Sequence, residues 1–317
     1  MIKLSNLFNI LKLILYYGIP DLVLGKWSEG IRYDYETTDD GDLQLVDNWI
    51  KLGDYDRLAK YNPGASNRYH LFTRANSDVS QALVMSNPAT VIGSNFNVRR
   101  RTIILMHGFA GSVTSGFNTV LVRDFLQAID CNVIVLDWSD GSSYGPRAIQ
   151  AAQAAGRFVN WLIDLTGLFP SQIHIVGYSV GGHGAGIMAR TINGAVNYVT
   201  ACDPADRWDS AWVFKASDGE YTEVIHTNVG NMGMTQPLAD VDFYPNGGRN
   251  MPGCVTALCD HYRSYYYLGE SIRTGGFTGT RCEDLNAALT GNCNSLGTLR
   301  LGGLQPKIGY VNRYRII

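Results

Sequence analysis

The chain is short of net charge, of repeats and of long apolar runs. Its 317 residues include 26 lysines and arginines against 28 aspartates and glutamates, so the formal net charge is −2 and no nucleic-acid partner is expected. No internal repeat, low-complexity tract or proline-rich linker interrupts it, and no Asn-x-Ser/Thr glycosylation sequence occurs. With 45% hydrophobic and 17% charged residues, the composition predicts a globular protein with a large core.

Beyond the N-terminus, no apolar run is long enough to cross a bilayer. In residues 1–25, Lys3 precedes a series of leucines and isoleucines, an order that resembles a signal peptide or anchor, and Gly25 suits a cleavage site. The alternative is an amphipathic surface helix, because polar residues recur at helical spacing. These are Ser5, Asn9 and Lys12. We expect residues 1–25 to be a signal or anchor and residues 26–317 to form one domain.

The chain has few cysteines, and their positions indicate two small disulfide loops. The pairs Cys254–Cys259 and Cys282–Cys293 would each close a short loop, as expected of a secreted protein. Cys131 precedes one predicted strand and Cys202 ends another. These positions lie at opposite edges of a parallel sheet, too far apart for a disulfide, so we expect two buried thiols.

From residue 101 onward, continuous apolar runs alternate with helical patterns. The runs are residues 102–106, 133–136, 173–176, 197–202 and 223–226, and the helical stretches are 120–128 and 145–165. Apolar runs of this kind suit strands buried on both faces, and their alternation with helices predicts a doubly wound, mostly parallel α/β sheet. Residues 69–73 read as a strand at the sheet edge. Past residue 273 too few residues remain for a sizeable second domain.

The most informative motif is Gly177-Tyr178-Ser179-Val180-Gly181, which lies between an apolar run and a stretch of small residues. A Gly-x-Ser-x-Gly turn between strand and helix is typical of the nucleophile elbow of α/β-hydrolases. Glycines on both sides of the serine allow a sharp turn without a Cβ clash. We therefore predict an α/β-hydrolase fold with Ser179 as its nucleophile.

A serine nucleophile needs a base, and the base needs an acid to orient it. In α/β-hydrolases these residues follow in the order Ser, acid, His. Asp203 comes directly after the run that ends at residue 202, beside the elbow, and is the candidate acid. Asp206 and Asp209 are rivals that lie further into the loop.

His261 is the candidate base, in a loop that the preceding cysteine pair would pin. His183, one turn into the elbow helix, is expected to pack or hydrogen-bond there. His226 lies inside an apolar run and reads as a satisfied core histidine. His107 stands at a strand end and has a different role, and the remaining histidines read as structural. These are His70 and His174.

The reaction also needs backbone donors for the oxyanion of its tetrahedral intermediate. One is the N–H of the residue after the nucleophile, Val180. The other should come from a glycine-rich loop after an earlier strand, and Met106-His107-Gly108-Phe109-Ala110-Gly111 is such a loop. We assign the Phe109 N–H.

These segments together resemble the pancreatic lipase family, and more closely its short-lid branch, which includes insect and wasp-venom phospholipases A1. The matching segments are Met106-His107-Gly108-Phe109, Val135-Leu136-Asp137-Trp138, Gly177-Tyr178-Ser179-Val180-Gly181, Asp203-Pro204-Ala205, Val224-Ile225-His226-Thr227, Asp242-Phe243-Tyr244-Pro245-Asn246-Gly247-Gly248, Pro252-Gly253-Cys254 and Cys259-Asp260-His261-Tyr262-Arg263-Ser264. They follow in family order from about residue 70 onward. The family often has His and Leu where this chain has Tyr178 and Val180.

The resemblance implies a triad of Ser179, Asp203 and His261 with the Phe109 and Val180 N–H groups as oxyanion donors. Cys254 and Cys259 match the pair that brackets the family's lid, and only four residues separate them. We expect this chain to contain no C-terminal lipid-binding sandwich like that of the long-lid enzymes.

Four residues cannot form a flap, so we expect an open site that accepts lipids with bulky polar heads. We predict a secreted, monomeric phospholipase A1 that cleaves the sn-1 ester of phospholipids at a membrane or micelle surface, without cofactor or metal. The alternatives are a neutral lipase or galactolipase with the same triad, a lipid-binding or storage protein on the same scaffold, and a protein held at a membrane by residues 1–25.

Overall fold

The computed structural model describes most of the chain. It describes residues 61–206, 208–293 and 297–309 in full, and residues 33–37, 43–47 and 313–316 by their backbone. The chain divides into two compact units, residues 1–60 and 61–317. In the first, β1 (Tyr33–Thr37) and β2 (Leu43–Asp47) form an antiparallel pair. The predicted signal or anchor, residues 1–25, lies outside the described residues.

Within its described residues, the second unit forms one eleven-stranded sheet. Its strands are β3 (Arg68–Phe72), β4 (Gln81–Leu83), β5 (Thr102–Met106), β6 (Asn132–Asp137), β7 (Ile173–Tyr178), β8 (Tyr198–Cys202), β9 (Thr222–Ile225), β10 (Val241–Tyr244), β11 (Thr278–Cys282), β12 (Thr298–Arg300) and β13 (Arg313–Ile316). Their spatial order is β12-β11-β13-β10-β9-β8-β7-β5-β6-β3-β4. The run from β13 to β6 is parallel, and two antiparallel strands flank it on each side. The predicted mostly parallel sheet is confirmed.

Helices cover both faces of this sheet. In chain order they are α1 (Pro63–Ser66), α2 (Ala89–Ile92), α3 (Gly116–Ala128), α4 (Ser139–Ser142), α5 (Arg147–Thr166), α6 (Val180–Thr191), α7 (Ala257–Thr274) and α8 (Leu285–Thr290). Helices α5 and α6 pack together over one face, and α3 and α7 pack over the other. In the described residues, no helix has the length and apolar character needed to span a bilayer.

Alternation along the strands explains why both faces are apolar. In β5, Ile104 and Met106 join the core under α5 and α6, whereas Ile103 and Leu105 join the core under α3 and α7. Successive strand side chains point to opposite faces, so a strand covered on both sides must be apolar throughout. This layered arrangement is the α/β-hydrolase fold, as predicted.

The structure differs from the sequence-based expectation at the sheet edge. The strand expected there, residues 69–73, is β3 (Arg68–Phe72), and it pairs with β6 on one side and with β4 on the other. Strand β4 has only three residues between polar turns, too few to give a period-2 pattern. The C-terminal residues add β11, β12 and β13 to the same sheet.

Candidate active site

Ser179 occupies a sharp turn between β7 and α6. Its backbone has φ 56° and ψ −124°, a conformation that costs a non-glycine residue about 1–3 kcal/mol and is concentrated at functional sites. A Cβ on Gly177 would lie 1.9 Å from the Gly181 carbonyl oxygen, and a Cβ on Gly181 would lie 2.3 Å from the Met106 carbonyl oxygen. Only glycine fits at either position, so the motif is explained by close backbone approach.

Asp203 follows β8 and is buried with its carboxylate fully engaged. Its Oδ2 lies 2.5 Å from His261 Nδ1, and its Oδ1 accepts the N–H groups of Thr227 at 2.8 Å and Asn228 at 3.1 Å. A Cβ on Gly233 would lie 2.3 Å from Oδ1, so the backbone of Gly233 packs directly against the carboxylate and only glycine fits there. The carboxylate is therefore held in one orientation, and it fixes the imidazole of His261.

His261 lies in the first turns of helix α7, not in the predicted loop. The helix begins at Ala257, immediately after Thr256, whose side chain accepts the Cys259 N–H as an N-cap. The Cys254–Cys259 disulfide was expected to pin a loop, but Cys259 already belongs to the helix. The candidate base is consequently carried by a helix and not by a loop.

The second ring nitrogen of His261, Nε2, is the atom that would take a proton from Ser179. It is buried and has no hydrogen-bond partner among the described residues, so no Ser179–His261 hydrogen bond is present. The ring of Tyr178, the residue before Ser179, packs 4.7 Å from the His261 ring at 44°. Catalytic hydrogen bonds are often long before substrate binds, so this arrangement is compatible with a triad.

The loop after β5 approaches Ser179, the candidate nucleophile, closely. A Cβ on Gly108 would lie 3.0 Å from the Cβ of Ser179. Within the described residues, no hydrogen bond uses the N–H of Phe109 or of Val180. Val180 is the first residue of α6, where N–H groups have no intrahelical partner. Both predicted oxyanion donors thus lie beside the elbow with their N–H groups uncommitted.

In the described structure, the hydrogen bond and ion pair of the His261 ring are made with Asp203 and not with either rival acid. The Asp209 carboxylate accepts the Ala211 N–H at 2.8 Å, and the backbone of Asp206 donates to Met232. The elbow-helix histidine, His183, is structural: its Nε2 lies 2.8 Å from the Ala205 carbonyl oxygen and its Nδ1 accepts the Phe214 N–H. Burial lowers the pKa of His183 to about 4.

The remaining histidines are occupied elsewhere. His226 contacts Asp242 and the Met234 carbonyl oxygen, each at 2.9 Å. His174 lies 2.9 Å from Thr200 Oγ1, and burial lowers its pKa well below the ordinary value. His70 lies 2.9 Å from Ser80 Oγ. Because both ring nitrogens of His226 have hydrogen-bond partners, it is a satisfied core histidine.

All six cysteines lie in the described residues. The Cys254–Cys259 and Cys282–Cys293 disulfides are both present, and Cys131 and Cys202 are buried thiols, as predicted. Burial raises the pKa of the Cys131 thiol to about 12, so it is unreactive. Among the described residues, no group of three His, Cys, Asp or Glu side chains could hold a metal ion.

The sequence did not reveal the groups that orient the three candidate triad residues, Ser179, Asp203 and His261. The N–H donors of Thr227 and Asn228 are backbone atoms, which no residue type reveals. Gly233 and the packing of Tyr178 on His261 depend on long-range contacts. The one available signal was Val224-Ile225-His226-Thr227, a segment that follows an apolar run at the same sheet edge.

Comparison with known proteins agrees with this arrangement. The family model Lipase matches residues 54–315. Pancreatic lipase-related protein 2 of Cavia porcellus is 32% identical over 71% of this chain and 56% of its own length. The pancreatic triacylglycerol lipases of Equus caballus and Homo sapiens are 32% and 31% identical over 78% of this chain, and over 62% and 60% of their own lengths.

The chain therefore spans about 60% of the lengths of these relatives. Among solved structures, the α/β-hydrolase MGS-M1 from a deep-sea metagenome library is 20% identical, with a TM-score of 0.34 over 50% of this chain and 66% of that one. The family model and the relatives, together with the nucleophile elbow, show that this chain belongs to the lipase family, and within it to the family of the pancreatic lipases.

Proposed function

We propose that the protein is a serine hydrolase that cleaves acyl esters of glycerolipids through an acyl-enzyme on Ser179. The observation that carries the proposal is the 2.5 Å contact between Asp203 and His261 beside the strained elbow. In this arrangement Asp203 keeps the His261 proton on Nδ1 and leaves the Nε2 lone pair free as a base. Family membership and the names of the relatives support the same chemistry.

The proposed reaction has two steps. His261 Nε2 takes the Ser179 hydroxyl proton as Oγ attacks the ester carbonyl carbon, and the Phe109 and Val180 N–H groups stabilise the oxyanion. The bond between the acyl carbon and the glycerol oxygen then breaks, and the leaving glycerol oxygen receives the proton from His261. Water attacks the acyl-enzyme by the same route, which releases the fatty acid and restores Ser179.

We further propose phospholipids as substrates, cleaved at the sn-1 ester. The segment between Cys254 and Cys259 is too short to cover the site, because it has only four residues and the last two already belong to α7. Its first residue, Val255, is 97% exposed and so covers nothing. A lid of this size adds little apolar area for contact with oil. An open mouth of this kind favours amphiphiles over triacylglycerols.

A polar cavity beside the short lid supports this preference. Its volume is about 310 Å³, and its lining includes Asn231, Arg249 and Thr256. Arg249 is exposed, and its guanidinium pairs with no carboxylate of the described chain. The lining also includes the Asp260 carboxylate, which already accepts the Asn250 and Met251 N–H groups. The exposed Arg249 guanidinium is therefore the group that can bind a phosphate-containing head group.

Positional product analysis tests the proposal. Phosphatidylcholine with different labels on its two acyl chains should lose the sn-1 chain, and the Ser179→Ala variant should have a kcat about a millionfold lower. Release of only the sn-2 chain, or of neither, contradicts phospholipase A1 activity. Retention of most activity by Ser179→Ala contradicts the assignment of the nucleophile.

The main alternative is a neutral lipase or galactolipase, and the names of the relatives, pancreatic triacylglycerol lipases, favour testing it. The same assay with triacylglycerol and galactolipid separates these activities. A storage or lipid-binding protein would not react with a fluorophosphonate probe, whereas an activated Ser179 should. The two disulfides support an extracellular location, which the mature N-terminal mass of the secreted protein would test.

A further inference from the structure

His107 lies directly before the loop that approaches the nucleophile. It follows β5 and its side chain is fully buried. Its Nδ1 is 3.0 Å from the carbonyl oxygen of Gly108, and its Nε2 is 3.3 Å from the backbone N of Trp138. The Trp138 indole N–H also donates to the His107 carbonyl oxygen at 3.0 Å.

These partners determine which nitrogen carries the proton. The Gly108 carbonyl oxygen can only accept, so Nδ1 must donate to it. The Trp138 N–H can only donate, so Nε2 must present its lone pair. Asp137 Oδ1 lies 3.7 Å from Nε2, beyond hydrogen-bond distance. His107 is therefore the neutral Nδ1–H tautomer.

The Gly108 carbonyl belongs to the same peptide unit as the Phe109 N–H. In a trans peptide the C=O and N–H bonds point in opposite directions. A bond from His107 to the carbonyl therefore directs the Phe109 N–H to the other side of the peptide plane. Gly108 packs against Ser179, and no acceptor in the described structure takes the Phe109 N–H.

We propose that His107 is a positioning residue for the oxyanion hole: its Nδ1–H holds the Gly108–Phe109 peptide in the orientation that presents the Phe109 N–H to the reacting carbonyl. The inference rests on the proposed function. His107 does not touch the substrate and acts through this one peptide.

Other contacts hold the loop, and besides His107 only a long hydrogen bond within the described residues reaches this peptide. Ala110 donates to the Ser142 carbonyl oxygen at 2.9 Å, and the Ser142 hydroxyl donates to Gly111 at 3.1 Å. The second donor to the Gly108 carbonyl is the Gly111 N–H at 3.4 Å, a long bond. Without His107 the peptide can rotate, and its carbonyl oxygen would then face the oxyanion instead of the N–H.

Two amide variants test separately the two hydrogen bonds that the His107 ring makes with Gly108 and Trp138. In His107→Asn the side-chain NH₂ replaces Nδ1 and keeps the donor to Gly108 but loses the acceptor for Trp138. In His107→Gln the longer side chain keeps an acceptor near Trp138 and loses the donor to Gly108. Both variants are buried amides, so each serves as the matched control for the other.

The measurement is kcat and KM on a soluble p-nitrophenyl ester and on its thionoester. We expect His107→Gln to lower kcat about 10- to 100-fold at nearly constant KM, somewhat less than loss of a whole oxyanion donor, and His107→Asn to stay near the wild type. Sulfur accepts hydrogen bonds weakly, so the ester-to-thionoester ratio should also fall in His107→Gln only. Equal kcat values, or the reverse order, would overturn the proposal.

Further measurements distinguish a failure of this inference from a loss of folding and from a failure of the proposed function. A His174→Leu variant, which removes another buried histidine at the far end of β7, should lose stability but not kcat. In the wild type, ¹⁵N shifts assigned to His107 should show a protonated Nδ1, and a protonated Nε2 would refute the inference. A wild type without esterase activity would instead overturn the proposed function.

Discussion

At the scale of single residues, the partners of each histidine ring decide its role. His261 has one ring nitrogen bound to a carboxylate and the other free, as a base requires. His183 has both nitrogens committed to backbone groups, one as donor and one as acceptor. A neutral ring satisfied in this way stabilises the loop after β8 but cannot be protonated without losing the Phe214 bond.

The low pKa of His183 predicts a dependence of stability on pH. Burial holds its pKa at about 4 in the folded protein, against an ordinary value of 6.5. As the pH falls below 6.5 the unfolded chain takes up a proton that the folded chain refuses, so its contribution is complete above pH 6.5 and is lost toward pH 4. The loss amounts to about 3 kcal/mol.

Urea unfolding of the wild type and of His183→Gln between pH 8 and pH 4 measures this contribution. The Gln amide can still donate to Ala205, but it does not titrate. His70 and His174 also have lowered pKa values and remain in both proteins, so the difference isolates His183. The variant's free energy of unfolding should fall less steeply with decreasing pH, by about 1.4 kcal/mol per pH unit. Parallel curves would refute the prediction.

At the scale of elements, helix α7 carries the proposed base, His261, and begins within the segment between Cys254 and Cys259. The Cys254–Cys259 bond joins the segment between the two cysteines to the first turn of the helix, two residues before His261. The second disulfide, Cys282–Cys293, joins β11 to the segment after α8. Both disulfides thus close short loops, but Cys254–Cys259 is much nearer to His261 along the chain than Cys282–Cys293 is.

The disulfides should therefore separate activity from stability. Loop closure by Cys254–Cys259 is worth about 2 kcal/mol and by Cys282–Cys293 about 3 kcal/mol. The Cys254→Ser/Cys259→Ser variant should lower kcat because the start of α7 is no longer fixed. The Cys282→Ser/Cys293→Ser variant should lose more free energy of unfolding and keep its kcat. Esterase kinetics and denaturant unfolding of both variants check this, and a larger kcat loss in the second would contradict it.

The elements that the sequence could predict are those with a local pattern. The apolar runs of β5, β6, β7 and β8 and the elbow motif depend on neighbours in the chain, and the structure confirms them. His261 was expected in a loop pinned by the cysteine pair, whereas it lies in helix α7. Tyr262, Arg263 and Ser264, which follow it in the helix, give no apolar stripe that would reveal a helix from the sequence. The role of His107 depends on a peptide orientation, which no residue pattern encodes.

At the scale of the whole molecule, the proposed reactive groups and the buried Glu223–Lys307 ion pair lie at different ends of the strands. Ser179 and Asp203 follow the carboxyl ends of β7 and β8, where ligand sites of open α/β sheets lie. At the amino end of β9, the buried Glu223 accepts the Tyr221 hydroxyl and the Gly302 N–H, each at 2.6 Å. It also pairs with Lys307.

Lys307 joins the C-terminal segment to the sheet. Its ammonium lies over three aromatic rings, at 5.6 Å from Tyr198, 5.2 Å from Tyr221 and 6.0 Å from Phe243. Burial and the Glu223 charge raise the pKa of Tyr221 far above its usual range, so its hydroxyl remains a donor. These contacts of the Lys307 ammonium stabilise the packing of the C-terminal segment on the sheet, at the strand ends opposite the candidate active site.

Removal of the cation should unfold the protein more easily without changing its chemistry. Lys307→Met keeps the apolar stem over the rings but leaves Glu223 as a buried charge without its cation, which costs about 3–5 kcal/mol. The double variant Glu223→Gln/Lys307→Met removes both charges and should recover most of this loss. Denaturant unfolding gives the free energies, and kcat on a soluble ester should match the wild type in both variants. A double variant as unstable as Lys307→Met would show that the pair contributes through packing, and a fall in kcat would show that the two ends of the sheet are coupled.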